Sequence, residues 1–87
     1  MNDFTLWIVY SSQFERWAQY IKTYIEQHST VKIEFVHATD TRCSLYGINR
    51  LPCLVAVKYN QPFRRLYGKH TDEDYLEWMR GLNWLNI

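Results

Sequence analysis

The sequence predicts a single α/β domain over residues 1–87, in which helices cover a four-stranded mixed sheet with the element order β-α-β-(α)-β-β-α. Three observations predict it. A chain of 87 residues has the size of one domain. Hydrophobic residues make up 47% of it and aromatic residues 17%, which is enough for a packed core. Segments of strand and helix periodicity follow one another without an internal repeat, linker or low-complexity run.

The first half of the chain predicts a β-α-β unit. Thr5 to Tyr10 is rich in β-branched and aromatic residues and apolar on both faces, which indicates a buried strand. Ser12 to Glu15 has the pattern of a capping box that opens a helix. The apolar stripe of this helix consists of Phe14, Trp17, Ile21, Tyr24, Ile25 and His28. Val31 to Phe35 alternates apolar and charged residues, as a half-exposed strand does.

The second half predicts a short helix, a hairpin and a final helix. Asp40 to Ile48 has room for about two helical turns that end near Gly47, a suitable C-cap. Leu54 to Val57 indicates a buried strand, and Phe63 to Tyr67 returns as its antiparallel partner. Thr71 is expected to cap the last helix, with acids in its first turn. The apolar face of this helix contains Tyr75, Trp78, Met79, Leu82 and Leu85.

Charge and composition exclude several functional classes. Ten Lys and Arg against nine Asp and Glu give a net charge of +1, so no strong field attracts nucleic acid or a membrane. The N-terminus lacks the pattern of a signal peptide, and no apolar run approaches membrane-spanning length. We therefore expect a soluble, cytoplasmic protein. Two cysteines are too few for a disulfide framework, and neither they nor the three histidines show metal-ligand spacing, so no metal is expected.

The stretch from Tyr46 to Lys58 (YGINRLPCLVAVK), followed by Tyr67-Gly68 and the helix from Thr71, resembles the C-terminal half of the thioredoxin family. The resemblance covers about half of the chain, whose short length is closer to a glutaredoxin-sized minimal version. It implies a thioredoxin-like fold in which Pro52 is a cis-proline. It also implies that the loop before Pro52 lies beside the start of the first helix and offers backbone groups to an extended peptide or to glutathione.

The sequence departs from the family at the junction of the first strand and first helix. Family members that exchange disulfides carry C-x-x-C, or at least its first cysteine, there, because a helix N-terminus lowers the pKa of a thiol. Here the junction contains Ser11, Ser12 and Gln13, and a serine hydroxyl neither ionises near neutral pH nor forms a disulfide. The sequence therefore predicts a redox-inactive protein-binding or adaptor module without a cofactor. The predicted groove consists of Ser11, Ser12, Gln13, Leu51, Pro52 and Cys53, and a viral or phage origin is compatible with so compact a domain.

The alternative function is a monothiol oxidoreductase, glutaredoxin-like or thioredoxin-like, in which Cys53 is the catalytic residue. The resemblance implies that Cys53 lies within reach of the rim of the active site, where this chain has serines in place of the family's cysteines. Cys43 and Cys53 could also pair if their Cα atoms approach within about 7 Å. Two inert, buried thiols are the favoured interpretation, because free cysteine is commonly a small buried hydrophobe. Glutathione is accordingly a less favoured partner than a protein.

Two surface features leave further alternatives. The hairpin is locally basic and aromatic, which could indicate a nucleic-acid surface but more often marks a charged edge that discourages aggregation; its residues are Lys58, Tyr59, Phe63, Arg64, Arg65, Tyr67, Lys69 and His70. The aromatic load exceeds what one small core can hide, so some rings should be exposed at partner contacts. Trp84 and Leu85, in the tail that ends at Ile87, are candidates for such contacts, and docking of the tail on the sheet is the alternative.

Overall fold

The computed structural model describes residues 4–86, and within this range the chain forms four strands and three α-helices. The strands are β1 (Phe4–Tyr10), β2 (Lys32–His37), β3 (Cys53–Lys58) and β4 (Gln61–Tyr67). The helices are α1 (Glu15–Glu26), α2 (Thr41–Leu45) and α3 (Asp72–Gly81), and a 3-10 turn (Ser12–Phe14) precedes α1. The predicted element order is confirmed.

The strands form one mixed sheet in the order β2-β1-β3-β4. β1 pairs with β2 in parallel, and β3 runs antiparallel both to β1 and to β4. This confirms the predicted four-stranded mixed sheet. β1 and β3 are the central strands, which explains why their sequences are apolar on both faces.

The sheet separates two apolar clusters because successive side chains of a strand point to opposite faces. The first face, which we call the long-helix face, packs against α1 and α3; its buried members include Leu6, Ile8, Ala18, Ile21, Leu54, Tyr75 and Met79. The second, which we call the α2 face, includes Trp7, Val9, Val36, Cys43, Ile48, Cys53, Val55 and Val57. Two large helices thus cover one face, whereas a helix of five residues and its flanking loops cover the other.

Arg42 of α2 covers part of the α2 face. Its guanidinium lies 4.9 Å from the Trp7 ring centroid, a cation–π geometry. The same group donates hydrogen bonds to both carboxylate oxygens of Asp40 and, at 2.6 Å, to Glu34 of β2. Hydrogen bonds from Arg42 lower the pKa of Asp40 to about 2. Arg42 therefore ties α2 to the sheet.

The start of α1 differs from the sequence prediction. The capping box expected at Ser12 to Glu15 is absent, because a 3-10 turn moves the helix start to Glu15 and makes Phe14 its N-cap. Ser12 thus lies within a turn, where its hydroxyl cannot serve as the cap. A capping box does form at the predicted N-cap of α3, where Thr71 and Asp74 exchange both hydrogen bonds.

Candidate functional site

The candidate groove lies at the end of the sheet where the central strand β1 ends and the central strand β3 begins. Val9 pairs with Cys53 in the antiparallel register, so the segment after β1 and the segment before β3 leave the sheet side by side. The Ala38 amide donates to the Tyr10 carbonyl at 2.8 Å, which brings the end of β2 to the same place. The Gly68 amide donates to the Pro52 carbonyl at 2.7 Å and adds the end of β4. We call this region the proline edge.

The first half of the predicted groove is polar and accessible. Ser11 precedes the 3-10 turn as its N-cap, is half-buried and makes no side-chain capping hydrogen bond. Ser12 and Gln13 are exposed. Both line an open depression of about 430 Å³ that continues along α1 past Arg16. The depression offers hydroxyl, amide, carboxylate and guanidinium groups to a ligand, and no thiol lines it.

The second half of the predicted groove is the loop before β3. The Leu51–Pro52 peptide bond is cis. Leu51 is half-buried and Pro52 is buried. Neither residue lines the depression beside Ser12 and Gln13, so the two predicted halves of the groove do not share that depression. The pairing of Val9 with Cys53 is what brings the end of β1 and the start of β3 side by side.

Arg65 holds this loop in place, a role that the sequence analysis missed. Its guanidinium donates to the carbonyls of Tyr46 and Gly47 and to the Tyr67 hydroxyl. Arg65 pairs with Val55 across the hairpin and therefore points toward the α2 face, beneath the chain that leads to Pro52. Because side chains alternate along β4, Arg65 and its neighbour Arg64 point to opposite faces of the sheet. This alternation is the sequence signal that could have identified the role of Arg65.

Neither thiol has the solvent exposure that a nucleophile needs. Cys53 is 0% exposed and Cys43 is buried, and both are free. Burial raises the pKa of Cys53 to about 11, although the Arg65 guanidinium acts in the opposite direction. Burial likewise raises the pKa of Cys43.

The expected position of Cys53 at the active-site rim is therefore wrong. The register pairs Cys53 directly with Val9, and both side chains belong to the α2-face cluster. A residue on this face cannot point toward α1, which packs on the other side of the sheet. Cys53 is the first residue of β3 and packs in the core. Of the predicted groove residues in this segment, Leu51 and Pro52 lie in the loop before the strand.

The expectation that Trp84 is an exposed partner contact is also wrong. Trp84 is 8% exposed, and its ring lies 5.4 Å from Phe4 and 6.1 Å from Phe63. The Ser29 hydroxyl donates to the Trp84 carbonyl at 2.6 Å, so the tail docks on the chain itself. Leu85 is half-buried, and Ile87 lies outside the described residues. Other aromatic rings are exposed as predicted, namely Tyr20, Tyr59 and Phe63.

Residues 4–86 contain no cluster of three or more His, Cys, Asp or Glu side chains that could hold a metal ion. None of the helices in this part of the chain is long and apolar enough to cross a membrane.

The strand order, the short helix on one face and the proline loop before β3 define a thioredoxin-like fold, which confirms the resemblance seen in the sequence. Solved structures similar to this chain include a mutant thioredoxin from Halobacterium salinarum, with a TM-score of 0.72 and 14% identity over 99% of this chain and 78% of that chain. The thioredoxin of Fasciola hepatica has a TM-score of 0.71 and 12% identity over 90% and 79% of the two chains. A designed protein has a TM-score of 0.73 and 17% identity over 93% and 82%.

A scan against protein-family models and a search of curated proteins both find no match. The TM-scores establish the fold, and because the identities are below 25% the function has to be argued from the residues of the site.

Proposed function

We propose that this chain is a thioredoxin-like binding module that captures an extended segment of a protein partner at the proline edge without thiol chemistry. The observation that carries the proposal is the placement of the thiols. Ser11 and Ser12 occupy the junction of β1 and α1, whereas both cysteines are buried in the α2-face cluster. The accessible groups at the edge are suited to hydrogen bonding and not to nucleophilic attack.

Main-chain recognition explains how such a site works without a thiol. An extended peptide can bind through backbone hydrogen bonds, with side chains in neighbouring depressions supplying specificity. Ser12 and Gln13 provide a hydroxyl and an amide that can both donate and accept. Leu51, which is half-buried in the loop before β3, provides apolar area, and Arg65 binds the chain that leads to it. Cys53, which the sequence placed in the groove, contributes only by packing underneath.

The oxidoreductase alternative is less well supported because it requires a thiolate. With a pKa of about 11, roughly one Cys53 side chain in ten thousand is ionised at pH 7. Its full burial also prevents in-line approach of a disulfide without opening of the core. A reduction assay with insulin and dithiothreitol tests this alternative. We expect no acceleration over dithiothreitol alone, and an acceleration that Cys53→Ser abolishes would establish the oxidoreductase.

The binding proposal is tested by capture and mapping. Immobilised wild-type protein and the double variant Ser12→Lys, Gln13→Lys are exposed to extract of the source cells. Two exposed positions that follow the C-terminal end of α1 supply the matched control, Gln27→Lys with Thr30→Lys. We expect the wild type and the control to retain the same partner and the groove variant to lose it.

Amide chemical shifts of the labelled protein then locate the contact with the purified partner. We expect changes at residues 11–13 and 49–52. Changes confined to a remote surface would contradict the proposal, as would equal capture by the groove variant.

A further inference from the structure

A second surface lies at the end of the sheet opposite the proline edge, where β1 and β4 begin and β3 ends. A depression of about 650 Å³ opens there; its lining includes Phe4, Lys58, Tyr59, Phe63, Arg64 and Leu82. We call it the hairpin groove. It combines exposed aromatic area with cations: the side chains of Tyr59 and Phe63 are 64% and 45% exposed.

A β-bulge directs Phe63 into the hairpin groove. Val57 pairs with Pro62 and Ala56 pairs with Arg64, so Phe63 is the extra residue in β4. Its ring lies 6.4 Å from Phe4 and 6.1 Å from Trp84. A regular strand would send Phe63 and Arg64 to opposite faces, whereas the bulge allows both to line one groove.

Within residues 4–86, the lining of the hairpin groove carries the two cations Lys58 and Arg64 and no carboxylate, and Arg64 also lines an adjoining depression with Glu77. Lys58 Nζ lies 5.2 Å from the Phe4 ring centroid and 5.5 Å from that of Tyr59. Neither Lys58 nor Arg64 forms an ion pair with a carboxylate of the described chain, and no acidic side chain lines the depression. The complementary ligand is therefore anionic.

β4 is an edge strand. In the described sheet its one neighbour is β3, so its outer side presents backbone groups that the sheet does not pair. A strand added there would alternate its side chains between the two faces of the sheet, and those on the long-helix face would meet Phe63 and Arg64. An extended chain is thus the shape that uses the edge and the groove together.

From this combination we propose that β4 binds an extended acidic peptide segment as a fifth strand of the sheet. An apolar side chain of that segment occupies the hairpin groove against Phe63, and flanking carboxylates face Lys58 and Arg64. The surface is independent of the proline edge. A protein ligand is favoured over single-stranded nucleic acid, because a strand of phosphates requires a long positive track and this groove supplies two cations.

The experiment uses the labelled full chain and a synthetic capped heptapeptide of sequence Thr-Glu-Thr-Phe-Thr-Glu-Thr, in which an extended backbone places Phe and both Glu side chains on the same face. The matched peptide replaces every Glu with Lys, and a twelve-residue oligothymidylate is the nucleic-acid probe. We expect the acidic peptide to shift the amide signals of residues 58–67 and the Lys peptide to leave them unchanged. The binding should weaken as the salt concentration rises from 50 to 300 mM, because the charges are exposed.

Two exposed cations on opposite edge strands supply a matched pair of variants. Arg64→Glu should weaken binding of the acidic peptide roughly fivefold, because it converts an attraction into a repulsion, whereas Lys32→Glu on β2 should change it less than twofold. Phe63→Ser should weaken it similarly through loss of the apolar anchor. Far-UV circular dichroism verifies that the variants are folded.

The proposal is overturned if the acidic peptide shifts signals of β2 or of the proline edge instead, if the Lys peptide binds equally well, or if Arg64→Glu and Lys32→Glu behave alike. Tighter binding of the oligothymidylate at the same amides would assign the hairpin groove to nucleic acid. Because the probes address residues 58–67, none of these results depends on what the groove around Ser12 binds.

Discussion

Arg65→Met should destabilise the protein and loosen the loop that leads to the proline edge. Arg65 donates three hydrogen bonds, two of them to the main-chain carbonyls of Tyr46 and Gly47. A hydrogen bond from a charged donor contributes about 1.5 to 3 kcal/mol when buried, and less where water can replace it. Arg65 is half-buried, so we expect a total loss of about 2 kcal/mol, or a fall in Tm of roughly 10 °C for a domain of this size.

The neighbouring Arg64 provides the control. Arg64→Met removes the same charge from the next position of the same strand, but Arg64 is exposed and makes no such contacts to the loop. It should change the free energy of unfolding by less than about 0.5 kcal/mol. Urea denaturation measures both variants, and amide exchange of residues 46–52 reports the loop. Equal destabilisation by the two variants, or unchanged exchange of the loop in Arg65→Met, would refute the reasoning.

Three further predictions concern the tail, the acid range and the thiols. Trp84→Ala should cost about 3 to 5 kcal/mol in urea denaturation, because it empties a buried site between aromatic rings, and a loss below 1 kcal/mol would contradict docking of the tail. Asp40 has a folded-state pKa lowered to about 2, so its contribution to stability is present above pH 4 and is lost as the pH falls toward 2; Asp40→Asn should flatten this part of the stability profile. The pKa of Cys53 is raised to about 11, so its contribution to the free energy of unfolding is complete below pH 9 and is lost as the pH rises toward 11. Iodoacetamide should label Cys53 far more slowly in the native protein than after unfolding. Rapid labelling of the native protein at pH 8 would disprove its burial.

The sheet could be predicted because its signals are local. The alternation from Val31 to Phe35 indicates a strand with one buried face. The two-sided apolar run from Thr5 to Tyr10 indicates a strand that is buried on both faces. The structure places the first of these on the edge strand β2 and the second on the central strand β1. The N-cap at Thr71 is equally local, since its partner Asp74 is three residues away.

The start of α1 and the orientation of the site residues depend on interactions that the local pattern does not contain. Ser12 to Glu15 matches a capping box, but the chain leaves β1 through a 3-10 turn before it becomes α-helical. Which face Cys53 occupies depends on its register with Val9, more than forty positions earlier. The sequence around Trp84 is compatible both with an exposed ring and with a ring that docks on the domain. Trp84 docks because of contacts with Ser29 and Phe4, which are distant in the chain.

The central position of β1 has a kinetic consequence. Its two neighbours are β2, reached through the α1 crossover, and β3, where Phe4 pairs with Lys58. During synthesis this hydrophobic strand leaves the ribosome long before its second partner exists, and closing such a distant pair is entropically slow. The nascent chain therefore exposes an unpaired apolar segment until β3 has been made, and this interval is the one in which β1 is most exposed to aggregation.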